Sequence, residues 1–342
     1  MRHGTFAKFV WPSFLAMILF IALPILSVGL QSFFIEHEQV MREVENCGPF
    51  KCTTVLQVDV EATEQLKSEA PLGRYNGLGT YTNRGHLAFA EVAEIWASSE
   101  SWGGFIVRVY NLPFYKALFF TLAYTAVVTP FVIILGLLIA LGVNRLPRIT
   151  KGPTIFASLL PMIVTPLIGA LILFWMVDAD GILGATLQRL FDDPDLSLKA
   201  SAPLTWIMLI VYGIWHSTPF AFVVFYAGLQ TVPLETIEAA KMDGASRWQQ
   251  VWYVIVPYMM PLLVFITLMQ LMDNFRVLEP IVAFSAESKA RSLSWIIMND
   301  LSGQDKLFGS AAATSMMTII GVCILLTPVL IKTWRDFNRR SV

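Results

Sequence analysis

The sequence predicts an all-α membrane protein of six transmembrane helices with both termini in the cytoplasm, and three observations carry that expectation. Its 342 residues are 56% hydrophobic and only 14% charged, with a mean hydropathy of +0.62, a balance foreign to soluble domains. Six runs poor in charge, at 9–34, 117–143, 153–177, 200–232, 248–272 and 307–331, reach the roughly 20 residues a helix needs to cross a bilayer. Finally, Arg2, Lys8, Arg145, Arg148, Lys151, Lys241, Arg247, Lys332, Arg335, Arg339 and Arg340 gather in the short segments that share one side. On that side they face only the acids Glu235, Glu238, Asp243 and Asp336. The positive-inside rule makes it the cytoplasm.

The first run is too long for a signal-peptide core and no small-residue cleavage site follows it, so a retained span is expected, kinked at Pro24. Residues 35–113 are too polar to insert and make an outer loop or cap. That loop is acidic from Glu36 to Glu45, helical around Glu61 to Lys67, and helical again near Glu91 to Ser99. Cys47 and Cys52 fall within it, where an oxidising compartment lets them pair across Gly48 and Pro49 or leaves two thiols. The second run contains Pro130 and the small residues Gly136, Ala140 and Gly142, which allow close helix contact. The third carries Pro161 and Pro166. The fourth is interrupted near its middle by Trp215-His216-Ser217-Thr218-Pro219-Phe220, whose non-apolar groups need partners or water. The fifth ends in Gln270, Asp273, Asn274 and Arg276, and Gly309-Ser310-Ala311-Ala312-Ala313 opens the sixth.

These runs divide the chain into an N-terminal span (1–34), the outer cap (35–113), a core of five spans (114–335) and a cytoplasmic tail (336–342). No metal-ligand cluster, nucleophile–base pair or G-x-x-x-x-G-K-[ST] phosphate loop is present, so neither an enzyme nor an ATP-binding chain is expected. The formal net charge of −1 gives no reason to expect a nucleic-acid partner. No internal repeat of the kind that builds many secondary transporters is visible.

A polar break at 233–257 separates the fourth and fifth runs. Residues from Glu235 to Lys241 favour helix, Gly244 can end it in a left-handed conformation, and a second helix can restart at Ala245 before Pro257. Glu238-Ala239-Ala240, three residues, Gly244, nine residues, then Val254-Ile255-Val256-Pro257 closely resembles the coupling motif of binding-protein-dependent ABC importer permeases, with valines in the Ile and Leu places. Tyr75-Asn76-Gly77-Leu78-Gly79-Thr80-Tyr81 is similar to the G-L-x-N-Y before the second span of many sugar permeases, with Thr80 in the Asn place. Trp175 to Leu183 likewise resembles that family's W … D … G-x-L run. The resemblance covers about residues 9–34 and 75–335 and is weakest in the first outer loop.

What the resemblance implies is a type I ABC importer permease of the maltose (MalF-type) carbohydrate branch, multi-pass in a bacterial inner membrane. Its partners would be a second permease, a periplasmic solute-binding protein, a sugar, membrane lipid, and two ATPase subunits that carry ATP and Mg. The chain itself would bind no cofactor and no metal. Coupling would fall to Glu238, Ala239, Ala240, Asp243, Gly244 and Pro257. Sugar contacts, carried over from the same branch, would fall to His216, Ser217, Phe220, Thr267, Gln270 and Asn274. His216 and Gln270 depart from that branch's apolar or aromatic preference. Together with Arg276 they would suit a sugar bearing a sulfonate, phosphate or carboxylate, unless Asp273 neutralises Arg276. The alternatives are an ABC permease for a polyamine, peptide or phosphate, and an ion-coupled secondary transporter using Asp273 as coupling acid.

Overall fold

A computed structural model describes residues 3–47, 52–303 and 306–340. In chain order the elements are α1 (His3–Met17), a π-helical turn (Ile18–Ala22), α2 (Leu23–Gln31), β1 (Phe34–Ile35), β2 (Met41–Cys47), β3 (Cys52–Val58), α3 (Val60–Glu69), β4 (Arg74–Tyr75), α4 (Gly79–Thr82), α5 (Phe89–Ser98), α6 (Trp102–Tyr110) and α7 (Pro113–Asn144). They continue as α8 (Arg148–Ile163), α9 (Pro166–Met176), α10 (Ile182–Phe191), α11 (Ala202–Leu229), α12 (Leu234–Met242), α13 (Arg247–Gln250), a second π turn (Val251–Ile255), α14 (Val256–Tyr258), α15 (Met260–Phe275), α16 (Glu279–Ala283), α17 (Leu293–Ser302) and α18 (Phe308–Arg340).

Among the described residues, four helices are long and apolar enough to cross a membrane, within 8–31, 113–144, 202–229 and 308–335. The number rises to six if α8 with α9, bent by 95°, and α13–α14 with α15, bent by 72°, each count as one span. The 95° break follows from sequence. A residue before proline is driven into extended conformations, and Val164 and Thr165, just ahead of Pro166, have ψ of 130° and 145°. Pro24 and Pro257 are each preceded by a π turn, which absorbs the carbonyl that a proline leaves without a donor. The polar stretch in the fourth run leaves its helix whole, because α11 is continuous through Pro219. There the Thr218 hydroxyl donates to the Ile214 carbonyl at 2.6 Å, which satisfies a buried hydroxyl within its own helix.

The chain divides into two compact units. The first comprises Met1–Tyr115 and Ile296–Ile319, and it corrects the all-α expectation by holding two small antiparallel sheets, β1 with β4 and β2 with β3. The β2–β3 hairpin arises because β3 is rich in β-branched residues (Thr53, Thr54, Val55, Val58), which suit a pleated strand. Its register sets Cys47 opposite Cys52 along the backbone; residues 48–51 and both cysteine side chains lie outside what is described. In the same unit His86 is buried, its Nδ1 2.9 Å from Asn83 Oδ1 and its Nε2 2.9 Å from Thr314 Oγ1 and 3.2 Å from the Ser310 carbonyl. Burial lowers the His86 pKa below its usual value, while the Ser310 carbonyl and the Asp300 charge work against that shift.

The second unit, Lys116–Trp295 with Ile320–Val342, has the larger core. Phe120, Tyr124, Val128 and Val132 of α7 meet Leu209, Tyr212, Phe222 and Phe225 of α11, with Ile266 of α15 and Ile281 of α16 completing the cluster. Gly213 is required here, since a β-carbon would overlap the Tyr124 hydroxyl. Beyond the end of α9, Lys199 donates to Asp178 and holds that carboxyl below its usual range, while the Lys289 ammonium donates to the Lys199 carbonyl.

Candidate functional site

The polar break between α11 and α15 folds as a helix–turn–helix that projects from the core. α12 ends at Met242, and Gly244 follows with φ +80°, a conformation open to glycine at little cost. Nothing lies within 4 Å of where a β-carbon of Gly244 would sit, so the glycine is there for its backbone and not for space. The second helix restarts at Arg247, two residues later than the sequence suggested. Ser246 acts as its N-cap, accepting from Gln249 N at 3.4 Å, while Gln249 Oε1 accepts from Ser246 N at 2.7 Å. This reciprocal capping box ties down donors the helix start would otherwise leave open.

Glu238, Ala239 and Asp243 are exposed and Ala240 is half-buried. Glu238 makes no ion pair among the described residues. The same segment carries large exposed apolar side chains, Leu234, Met242 and Trp248, of which Met242 is 88% exposed. Pro257 lies in α14, immediately before the 72° bend at Met259. An exposed helix that carries bare apolar side chains and leads into a bent apolar helix can seat in a cleft of a partner and carry displacement along that helix.

The second group of residues divides in two. Gln270 and Asn274 share one face of α15, as their four-residue spacing requires, but they are only 3% and 5% exposed. Asn274 Nδ2 donates to Thr129 Oγ1 of α7 at 3.1 Å and faces Gln270 Oε1 at 3.4 Å. The other four are half-buried. The His216 ring stacks on Tyr212, centroids 5.7 Å apart, and its Nε2 is buried with no hydrogen-bond partner. The Phe220 ring lies 6.3 Å from Phe265, bringing α11 and α15 together. Thr267 donates back to the Leu263 carbonyl at 2.8 Å. Arg276 is paired with Asp273 at 2.9 Å. Thr129 was not legible as part of this group, because a lone threonine in an apolar run carries no periodic signal. Among the described residues no group of three or more His, Cys, Asp or Glu can hold a metal ion.

The sequence profile described as "Binding-protein-dependent transport system inner membrane component" matches residues 101–337. The chain is 30% identical over 234 residues to the inner membrane ABC transporter permease protein YcjO of Escherichia coli (strain K12), covering 65% of this chain and 76% of that protein. It is 30% identical over 229 residues to the trehalose transport system permease protein SugA of Mycobacterium tuberculosis (strain ATCC 25618 / H37Rv), covering 64% and 69%. It is also 31% identical over 207 residues to the sn-glycerol-3-phosphate transport system permease protein UgpA of Rhizobium meliloti (strain 1021), covering 57% and 69%. Among solved structures, a chain of a bacterial ABC transporter involved in the import of the acidic polysaccharide alginate matches with TM-score 0.60 at 18% identity, covering 81% of this chain and 97% of that one.

Proposed function

Because the chain belongs to the binding-protein-dependent transport system inner membrane components, transport subunits and not enzymes, we propose that it forms half of the path of an ATP-driven sugar importer. Its cargo in this reading is a mono- or oligosaccharide or a glycoside. The observation that carries the reading is the exposed helix–turn–helix at Glu238 to Gln250, with left-handed Gly244 at its corner. Its partners are a second permease, two ATPase subunits holding ATP and Mg, and a periplasmic solute-binding protein. The six spans run with both termini in the cytoplasm, residues 35–113 form the outer cap, and Cys47 and Cys52 are joined by a disulfide. Relatives named for trehalose and for multiple sugars support the cargo class.

In this reading the ATPases close on ATP and drive the coupling helices together. Glu238 pairs with a basic group in the ATPase cleft, and the bend at Met259 passes the displacement into α15. The bundle then opens outward to receive sugar from the binding protein. His216 Nε2, buried without a partner, takes a sugar hydroxyl once opening of the bundle uncovers it, since an unmet polar atom gains a hydrogen bond at no cost to an existing one. Phe220 offers a ring face, and Ser217 and Thr267 extend the polar lining. Gln270 and Asn274 contact the sugar only as α15 parts from Thr129.

A second reading, an anionic sugar such as a sulfosugar or sugar phosphate, is favoured by the relative named for sn-glycerol-3-phosphate. Pairing of Arg276 with Asp273 weighs against it. The test of the coupling role is the assembled importer with Glu238→Lys. Stable complexes whose ATPase is no longer stimulated by loaded binding protein are expected; full stimulation and transport would refute it. The same preparation separates the cargo readings: a pH profile of uptake unchanged in His216→Gln favours a neutral sugar.

A further inference from the structure

The outer unit carries a helical hairpin whose apolar surface the transport reading leaves unused. α5 and α6 pack on each other through Ile95, Val92, Phe105 and Val109, with Leu112 and Tyr115 closing the cluster. That accounts for one side of α6. At 100° per residue, Trp102, Ile106, Tyr110, Gly103 and Val107 occupy a separate arc of about 140° free of charge. Trp102 is 70% exposed, and Ile106 and Val107 are each 60% exposed. Trp96 of α5 extends this face at 55% exposure, its ring edge-on to Trp102 and Phe105 at centroid distances of 5.0 and 5.1 Å. The charges lie elsewhere. Arg108 turns back to donate to Ser98 Oγ at 2.9 Å, and Glu91 and Glu94 fall on the opposite side of α5 from Phe89 and Trp96.

Only Asn111 and Leu112 separate α6 from α7, a 32-residue apolar helix long enough to cross the membrane. The face is therefore tethered within one helical turn of the point where the chain leaves water for lipid. Tryptophan is the side chain that settles at that boundary, its ring body apolar and its N–H polar. A helix with one uncharged aromatic–aliphatic face and its charges displaced from that face lies in the interface plane. We infer that the α5–α6 hairpin is a membrane-interface anchor, with Trp96, Trp102, Ile106 and Val107 immersed in the outer leaflet's headgroup region beside the start of α7. The inference rests on the inner-membrane reading of the chain and goes beyond its transport role; α5 precedes the matched family region and α6 opens it.

The test replaces Ile106, and separately Trp102, with p-benzoylphenylalanine in the complete importer, assembled in nanodiscs of bacterial inner-membrane lipid, with Glu94 replaced in the same way as the water-facing control. After irradiation, phospholipid adducts are expected by mass spectrometry at 106 and 102 and absent at 94. Adducts to the second permease or to the binding protein at 106 and 102 would overturn the inference, as would loss of lipid adducts to the level at 94. Alkaline extraction of the cell membranes from which the importer is purified separates the two readings. A chain released by alkali sinks the membrane assignment itself, whereas a retained chain without lipid adducts sinks only the anchor.

Discussion

Thr129 accepts the only amide hydrogen bond that joins α7 to Asn274 among the described residues, so Thr129→Val removes that acceptor while leaving shape nearly intact. A loss of about 1–3 kcal/mol is expected, read as a lower thermal midpoint of the purified complex with uptake per complex little changed. His216→Phe should do the reverse. It keeps a ring against Tyr212 but removes the unpartnered nitrogen, so complex yield stays and normalised uptake falls several-fold. Gln270 and Asn274 were singled out by family resemblance, whereas Thr129, 145 residues away from Asn274, is visible only once the fold brings α7 and α15 together. His86 titrates with the opposite logic to a salt-bridged histidine. Its folded pKa is lowered mainly by burial, so its contribution is fully present above its unfolded value of about 6.5 and is lost as pH falls through the folded value. Thermal unfolding of the assembled protein should therefore show a drop below about pH 6.5 that His86→Gln flattens.

Among the elements, the coupling turn was the most readable, since a helix former run, a glycine and a capping serine each dictate local backbone without help from the rest of the chain. Its restart was misjudged by two residues because Ser246 serves the helix better as a cap than inside it. Ser246→Ala should cost about 0.5–2 kcal/mol, and Gly244→Val should cost about 1 kcal/mol or more at φ +80°. Both are expected to leave complexes intact yet lower the ATPase stimulation given by loaded binding protein, with the valine variant the worse. The prolines were less readable. Pro166 breaks its helix, while Pro130, Pro219 and Pro328 sit inside unbroken ones. At Pro166 the two residues ahead of the proline, Val164 and Thr165, are both extended, a local preference that the packing of the other three helices overrides.

For the whole molecule, hydropathy and charge asymmetry made the membrane class plain, because transfer of long apolar runs from water outweighs every local preference. The β2–β3 hairpin escaped notice, since seven-residue strands in a polar loop have no large apolar face to announce them. The coupling helix has a further consequence in the life of the chain before assembly. In the proposed assembly, a subunit newly inserted without its ATPase leaves Leu234, Met242 and Trp248 of this turn uncovered, the kind of bare apolar surface that chaperones and membrane proteases recognise. Steady-state abundance of this chain should thus depend on its ATPase. In pulse–chase labelling, withdrawal of the ATPase should shorten its half-life, and replacing Met242 and Trp248 with polar residues should lengthen the survival of the orphan chain.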